Sequence, residues 1–306
     1  MVDLGGGHWN RLPDPTGREP DRLLDDGAGH HPATRRGRRA AEFGENGCVT
    51  WTAPIYRAYE RRLAHSLPAD RLPAHVGVIL DGHRRFARAE GLADYSASYR
   101  TGMTKLRELL TWSAQLGLPA VTAWVLSTDN LRRPTDELEP YYDVLIDLLE
   151  DLPVLAHSLG CSVRVIGSLE LLPPRLAEAV AYAERESKGA PERWHFALAL
   201  GYGGREEIVD ACKSLVTDLV DSGVDPHDLP AGIDATALSA HMYTPDLPDP
   251  DLLIRTSGEA RLSGFLLWQA AYAECVFVDP YWPAFRRVDF LRALRDFVRR
   301  ERRFGQ

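Results

Sequence analysis

Short apolar runs alternate with longer helical stretches between residues 75 and 302, and this alternation constrains the fold more than any other feature. The runs are HVGVIL (75–80), AVTAWVL (120–126), CSVRVIG (161–167), WHFALAL (194–200), DLLIR (251–255) and ECVFVD (274–279). Continuous apolar strands separated by helices are typical of a parallel sheet with both faces covered. The sequence therefore predicts an α/β fold, with one domain built on a parallel sheet of about six strands flanked by helices.

Helix signals fill the intervals between these runs. A helix that begins near Ser98 is expected to stop at Gly117, and Pro173 is expected to open another. The predicted helices span 54–66, 98–116, 135–158, the stretch after Pro173, 203–219 and 288–302.

Residues 1–50 differ from the rest of the chain. They are rich in Gly, Pro, Asp and Arg, contain few branched aliphatic residues, and carry the basic run Arg35, Arg36, Arg38 and Arg39. Such a segment buries too little apolar surface to compensate for the entropy of ordering. We expect a disordered extension with a solvated basic run, followed by the domain at 54–302.

Composition limits the classes of partner. The 306 residues carry a net charge of −8, which argues against nucleic-acid binding. The four cysteines are widely spaced and form no CxxC pair, as expected of a reduced protein. The sequence shows neither a signal-peptide pattern nor an apolar run of the roughly 18 residues that span a membrane. These features favour a cytoplasmic protein.

Ligands of open parallel sheets bind beyond the carboxyl ends of the strands. Asp81 follows the first run directly, and a carboxylate there could hold Mg²⁺ against a diphosphate. Arg84, Arg85 and Arg88 would add donors to phosphate oxygens. A turn with a solvated arginine face is the alternative, and the Asp-Gly pair taken alone favours it.

Two further clusters follow later runs. Residues 255–263 contain two arginines, hydroxyl groups and a glycine, which suit a phosphate cradle better than a loop with an Arg255–Glu259 ion pair. Residues 127–134 could orient a substrate or relay a proton, and they equally suit a helix-capping loop. GYGGREE (201–207) lacks dinucleotide-loop spacing and predicts a tight turn into a helix.

Together and in this order, these clusters resemble the cis-prenyltransferase (undecaprenyl diphosphate synthase-like) family. The likeness covers residues 54–302 and is strongest in HVGVILDGHRRFAR, STDNLRRPTDEL, GYGGREEIVDA and DPDLLIRTSGEARLSGFLLWQAAYAECVFVDPYWPAF. It implies a parallel sheet flanked by helices, an elongated apolar tunnel, Mg²⁺ as cofactor and a homodimer. The paired Asp-rich motifs of trans-prenyl synthases are missing from this sequence.

The resemblance also implies roles for individual residues. Asp81 handles Mg²⁺ and diphosphate, and Glu274 assists as a second metal ligand. Together with the chemistry of the side chains, the resemblance predicts two sets of residues. The catalytic set is Asp81, His83, Ser127 and Asn130. The substrate-binding set is Gly82, Arg84, Arg85, Phe86, Arg88, Arg133, Arg255, Arg261 and Ser263. Within this set, Gly82, Arg85 and Arg133 are assigned to the allylic diphosphate, and Arg255, Arg261 and Ser263 to isopentenyl diphosphate.

Several positions depart from the family pattern. His83 replaces an asparagine tied to proton removal or diphosphate orientation, Phe86 replaces a usual tryptophan, and Leu131 replaces another. Asp94 and Ser98 stand where long-chain members have arginine and histidine. In these stretches the chain is more similar to short-chain Z-farnesyl diphosphate synthases of actinobacteria.

The resemblance thus implies Mg²⁺-dependent condensation of isopentenyl diphosphate with a short allylic diphosphate in isoprenoid biosynthesis. A product of C10–C20, able to associate with membranes, is expected from these departures together with the β-branched Val125. Three alternatives stay open: irregular lavandulyl-type coupling or cyclisation, terpene synthase-like conversion of one prenyl diphosphate, and a non-catalytic partner subunit.

Overall fold

The computed structural model describes residues 52–300, so the predicted extension at 1–50 and the last residues of the predicted 288–302 helix lie outside the described residues. The strands are β1 (His75–Ile79), β2 (Ala120–Ser127), β3 (Cys161–Ile166), β4 (Trp194–Tyr202), β5 (Leu252–Arg255) and β6 (Glu274–Phe277). The α-helices are α1 (Thr52–His65), α2 (His83–Ala89), α3 (Ser96–Leu116), α4 (Thr135–Leu159), α5 (Pro174–Ser187), α6 (Gly204–Asp221), α7 (Ala235–Ala240) and α8 (Arg287–Arg299).

The six strands form one sheet in the order β3-β4-β2-β1-β5-β6. Every neighbouring pair is parallel, and β1 lies between β2 and β5 with Ile79 opposite both Trp124 and Arg255. The predicted parallel sheet flanked by helices is therefore confirmed. All strand carboxyl ends consequently meet at one edge of the sheet.

Apolar packing covers both faces of the sheet. Because successive strand residues point to opposite faces, Val125 of β2 joins a large core with α3, α4, α5 and α8, while its neighbour Trp124 joins a smaller core with Phe265 and Tyr202. At the edge where β2 ends, a cavity can thus draw side chains from both cores.

The helix ends follow their sequence signals. Gly117 adopts φ 70°, a left-handed conformation that favours glycine, and α3 ends there as expected. Helix α4 continues through Pro140 and Pro153, although proline weakens a helix interior. Its buried face, which includes Leu145 and Leu149, packs in the large core and stabilises it.

The structure also bears on the expectations about membrane spans and cysteines. Within residues 52–300, none of the helices combines the length and the apolar sequence that crossing a bilayer demands. Cys161, Cys212 and Cys275 have free thiols, while Cys48 lies outside the described part of the chain.

His75 is a buried polar residue that ties the amino-terminal ends of two strands to a loop. Its Nδ1 donates to the Pro248 carbonyl at 2.7 Å, and its Nε2 lies 2.8 Å from Thr122 Oγ1. Burial lowers the pKa of His75 below 6.5, and it outweighs the opposing effects of the Pro248 carbonyl and Asp251. The folded protein therefore holds this imidazole neutral.

Replacing His75 by Gln should reduce the loss of unfolding free energy that the protein undergoes at acidic pH. Below pH 6.5 the unfolded chain protonates His75 while the native protein does not, so wild-type stability is lost as pH falls toward the lowered native pKa. Urea midpoints measured from pH 7.5 to pH 5 should converge for the two proteins. His227→Gln, on the surface, controls for loss of a histidine. Parallel wild-type and His75→Gln curves would contradict this account.

Candidate active site

A cavity of about 1140 Å³ opens at the carboxyl ends of β4, β2, β1 and β5, which are adjacent in the sheet. Segments far apart in sequence meet there because the strands are parallel. Most of the predicted site residues line it: Asp81, Gly82, His83, Arg84, Arg85, Arg88, Ser127, Asn130, Arg133, Arg255, Arg261 and Ser263.

An ion pair between Asp81 and Arg255 lies in the wall of this cavity. Arg255 Nη2 donates to Asp81 Oδ2 at 2.7 Å, and Arg85 Nη2 approaches the same oxygen at 3.2 Å. Partial burial alone would raise the pKa of Asp81, but the hydrogen bond and charge of Arg255, with the charge of Arg85, hold it below its usual value. Asp81 is therefore an ionised carboxylate at neutral pH.

Arg255 is 5% exposed, and surrounding groups fix its orientation. Its Nη1 donates to Ser263 Oγ at 2.7 Å and to the Arg261 carbonyl at 2.5 Å. Thr256 Oγ1 also donates to the Asp81 carbonyl at 2.7 Å, so the loops after β1 and β5 are joined by side chain and backbone. With these donors engaged, Arg255 organises the wall, and its direct contact with a phosphate stays a prediction.

A second ion-pair group lies beside the first. Arg85 Nη1 donates to Glu259 Oε1 at 2.7 Å, and Arg261 Nη1 donates to Glu259 Oε2. Arg85 Nη2 also donates to Ser257 Oγ at 2.7 Å. The expected loop ion pair of Glu259 therefore forms with Arg85 and Arg261, whereas Arg255 pairs with Asp81.

Gly82 turns the chain from β1 into α2. Its φ of 110° is a conformation that side chains rarely adopt, and an added Cβ would lie 2.8 Å from Tyr281 Cδ1. Only glycine fits both requirements. The turn brings the start of α2 and its arginines to the cavity.

The opposite wall is built around Glu137 in α4. Its Oε1 accepts hydrogen bonds from Arg133 Nη1 at 3.2 Å and Tyr99 Oη at 3.0 Å, and its Oε2 lies 3.6 Å from Arg84. Glu137 is thus a positioning residue, because it holds two cavity-lining arginines from behind. Arg88, at the rim, donates to Tyr95 Oη at 3.4 Å.

Apolar and aromatic side chains form the inner part of the cavity. Tyr99 and Tyr141 stack with ring centroids 4.1 Å apart, and Tyr141 Oη donates to the Val125 carbonyl at 2.8 Å. All three residues are buried and line the cavity. The elongated tunnel that the resemblance implies stays a prediction.

Ser127 and Asn130 bond to each other. The backbone N–H of Asn130 donates to Ser127 Oγ at 3.1 Å, and the backbone N–H of Ser127 donates to Asn130 Oδ1 at 3.4 Å. These two hydrogen bonds close the turn that follows β2, but no side chain caps α4. Both side chains line the cavity, and their substrate-orienting role stays a prediction.

His83 is held in a pocket formed with α3. Its Nδ1 lies 3.2 Å from the Ser98 carbonyl, and Ser98 Oγ donates to the His83 carbonyl at 2.8 Å. A Cβ on Gly102 would lie 2.0 Å from His83 Cε1, so glycine at this position makes room for the imidazole. The departures at His83 and Ser98 thus form one structural unit. Asp94 is exposed and caps the Ser96 amide at 2.7 Å.

The hydrogen bonding fixes the form of the imidazole. A carbonyl oxygen only accepts, so Nδ1 carries the proton and Nε2 is an acceptor. Burial, aided by Arg133 and opposed by the Ser98 carbonyl and Asp81, lowers the pKa of His83 to about 4. His83 is therefore neutral at pH 7, and its buried Nε2 has no hydrogen-bond partner among the described residues.

The structure does not bring Glu274 to this cavity. Glu274 begins β6 opposite Leu252, which lies opposite Val76 of β1, whereas Asp81 follows the other end of β1. Five residues of strand correspond to roughly 16 Å along the sheet. Glu274 instead accepts a hydrogen bond from Arg300. The two carboxylates are thus too far apart within one chain to share an ion, and the role of Glu274 as a second metal ligand stays a prediction.

Phe86 also differs from expectation. It is half-buried on α2 and is not among the residues that line the cavity, and its backbone amide donates to the Gly82 carbonyl at 2.8 Å. The other predicted residues of α2 face the cavity from its first turn and from Arg88.

Sequence reasoning missed one wall of the cavity. Tyr202 lines it from the end of β4, Gly203, Gly204 and Arg205 line it from the turn and the start of α6, and Trp124 lines it from β2. GYGGREE is the predicted tight turn into a helix. The sequence already places residues 201–205 at a strand carboxyl end, but the missing dinucleotide-loop spacing left them out of the predicted site.

The donor set suits a magnesium ion in part. Asp81 offers an ionised, partly exposed carboxylate at the cavity wall, and Mg²⁺ is commonly held by one or two carboxylates together with substrate phosphates and water. Within residues 52–300, no three His, Cys, Asp or Glu side chains cluster as a metal site. An ion here would take its remaining ligands from phosphate oxygens and water.

Comparison with known proteins identifies the relatives of this chain. A family profile described as "putative undecaprenyl diphosphate synthase" matches residues 79–305. The chain is 46% identical to isoprenyl transferase 1 of Corynebacterium efficiens over 82% of this chain and 97% of that protein. It is also 46% identical to (2Z,6E)-farnesyl diphosphate synthase of Mycolicibacterium smegmatis, over 83% of this chain and 96% of that protein.

A solved structure shares the fold. Lavandulyl diphosphate synthase from Lavandula x intermedia, in complex with dimethylallyl diphosphate, is 34% identical and superposes with a TM-score of 0.72. The match covers 78% of this chain and all of that one. The sheet, the cavity at its carboxyl edge and these similarities agree, and the chain belongs to the undecaprenyl diphosphate synthase-like family of prenyltransferases.

Proposed function

We propose that this protein is a cis-prenyl diphosphate synthase that condenses isopentenyl diphosphate with a short allylic diphosphate. The observation that carries the proposal is the convergence of Asp81, Arg85, Arg255 and Arg261 at one cavity with an aromatic inner wall. Cationic donors suit polyanionic head groups, and the apolar interior suits prenyl chains. Relatives named (2Z,6E)-farnesyl diphosphate synthase support the same chemistry.

Different arginines would bind the two diphosphate head groups. Arg85 and Arg133, on the side of α2 and α4, would bind the allylic diphosphate, and Arg261 with Ser263 would bind isopentenyl diphosphate. As the allylic C–O bond breaks, charge builds on the leaving diphosphate, and fixed guanidinium groups stabilise it without reorganisation. Mg²⁺, held by Asp81 and phosphate oxygens, would neutralise further charge on the leaving group.

Bond formation would be followed by loss of a proton. The double bond of isopentenyl diphosphate attacks the allylic carbon, and the resulting cation sheds a proton to leave a Z double bond. The leaving diphosphate, the Ser127–Asn130 pair and the acceptor Nε2 of His83 are the candidate bases. A neutral imidazole with a lowered pKa is a weak base, but a carbocation is a very strong acid.

Product length would be set by the inner wall. The hydrogen bond from Tyr141 to the Val125 carbonyl and the stacking of Tyr99 on Tyr141 hold bulky groups where a prenyl chain would extend. This supports a product of C10–C20. The predicted homodimer and cytoplasmic location belong to the same proposal.

Irregular coupling of the lavandulyl type is the second candidate. His83 departs from the family asparagine, and the lavandulyl diphosphate synthase structure shares 34% identity with this chain. Irregular coupling joins two dimethylallyl units, so it would not need isopentenyl diphosphate.

Asp81→Asn should lower kcat by on the order of a hundredfold or more, because the amide cannot supply an anionic oxygen to Mg²⁺ and pairs weakly with Arg255. Radiolabelled isopentenyl diphosphate incorporation measures the loss. Asn is preferable to Ala, since leaving the buried charge of Arg255 without a hydrogen-bonded side chain at position 81 would cost about 3 kcal/mol or more.

The matched control for this substitution is Asp147→Asn. Asp147 is exposed, does not line the cavity and pairs with Arg100 at 3.0 Å. It should retain near-wild-type kcat, and thermal melts should show both variants folded. Full activity in folded Asp81→Asn would remove Asp81 from the chemistry.

Substrate requirement should distinguish the two candidate functions. With Mg²⁺ and C5, C10 or C15 allylic primers, wild-type enzyme should form C10–C20 products only when isopentenyl diphosphate is present. Chromatography and mass spectrometry of the dephosphorylated alcohols measure chain length and double-bond geometry. A branched C10 product from dimethylallyl diphosphate alone would instead establish irregular coupling.

A further inference from the structure

Glu259 lies between the arginines assigned to the two substrates. Its Oε1 accepts from Arg85 Nη1 at 2.7 Å, and its Oε2 accepts from Arg261 Nη1. Under the proposed function, Arg85 belongs to the allylic diphosphate and Arg261 to isopentenyl diphosphate. One carboxylate therefore engages a donor of each site at the same time.

Arg85 has anchors other than Glu259. Its Nη2 donates to Ser257 Oγ at 2.7 Å and lies 3.2 Å from Asp81 Oδ2. These contacts leave Nη1 as the end that Glu259 occupies. A phosphate oxygen could replace the carboxylate at Nη1 while Arg85 keeps its place.

The backbone before Glu259 is fixed, but its side chain is half-exposed. The Ser257 amide donates to the Pro280 carbonyl at 2.8 Å, and the Gly258 amide donates to the Val278 carbonyl at 2.9 Å. The Glu259 side chain retains 29% of its accessible surface. It can therefore rotate toward solvent without breaking the anchors of its loop.

Charge makes this rotation favourable when a diphosphate arrives. The linked group contains the guanidinium groups of Arg85, Arg255 and Arg261 and the carboxylates of Asp81 and Glu259, so it carries one net positive charge. A diphosphate at either arginine would lie beside the Glu259 carboxylate. Like charges at such distances repel, and a half-exposed carboxylate gains solvation by leaving.

We propose that Glu259 couples the two diphosphate sites: the first diphosphate to bind displaces its carboxylate from both Arg85 and Arg261, and the second diphosphate then binds without that competition. The inference rests on the proposed function and adds a positioning residue to it. Coupling of this kind is reciprocal, so each substrate strengthens binding of the other.

Calorimetric titration of the full chain tests the coupling. Isopentenyl diphosphate is titrated into the protein in buffer that contains Mg²⁺. The titration is done with and without saturating dimethylallyl S-thiolodiphosphate, an allylic analogue that ionises poorly. In wild-type protein the analogue should lower the Kd of isopentenyl diphosphate by about three- to tenfold, the range expected when a partly exposed ion pair no longer competes.

Glu259→Gln keeps the shape of the side chain and removes its charge. Its Kd for isopentenyl diphosphate alone should already be about three- to tenfold below the wild-type value, and the analogue should then change it by about twofold at most. Glu139→Gln makes the same change at a carboxylate that pairs with Arg175 and does not line the cavity, and it should keep the wild-type coupling.

Two results would overturn the inference and leave the proposed function standing. These are weaker isopentenyl diphosphate binding in Glu259→Gln, which would make Glu259 a direct aid to substrate binding, and wild-type coupling in that variant. Failure of wild-type protein to bind either probe would refute the proposed function together with the inference.

Discussion

The ion pair between Asp81 and Arg255 joins the loops that follow β1 and β5, and the rest of the site depends on it. Arg255 is buried, so its charge requires a carboxylate, and Asp81 provides one at 2.7 Å. Ser263 Oγ and the Arg261 carbonyl accept further hydrogen bonds from it. The same contacts that stabilise this edge of the sheet thus hold an anionic oxygen and several cations around one cavity, where diphosphate chemistry needs both.

The parallel sheet explains how one cavity gains both a polar and an apolar wall. Four adjacent strands deliver their following loops to one edge, and the two sheet faces supply different walls. Tyr99 and Tyr141 belong to the large core, whereas Trp124 and Tyr202 belong to the smaller one. Polar head groups and apolar chains can therefore be accommodated side by side without a separate binding domain.

Much of this arrangement could be predicted from sequence, because apolar runs locate strands and parallel strands place their following residues together. All six strands and most site residues follow from that rule. Glu274 was expected beside Asp81 because its resemblance-based role was preferred to its position at the head of a strand, and that position separates the two residues within one chain. The fit of His83 against Gly102 could not be predicted, since it depends on how α2 packs against α3. The wall formed by GYGGR was left out of the predicted site because its glycine spacing does not match a dinucleotide loop, although the segment follows a strand.

The most direct test of the central claim is a crystal structure of the protein with Mg²⁺, isopentenyl diphosphate and dimethylallyl S-thiolodiphosphate. We predict two diphosphate groups in the cavity, one against Arg85 and Arg133 and the other against Arg261 and Ser263, with the Asp81 carboxylate between them. A single bound diphosphate, or head groups located away from Asp81, would contradict the account.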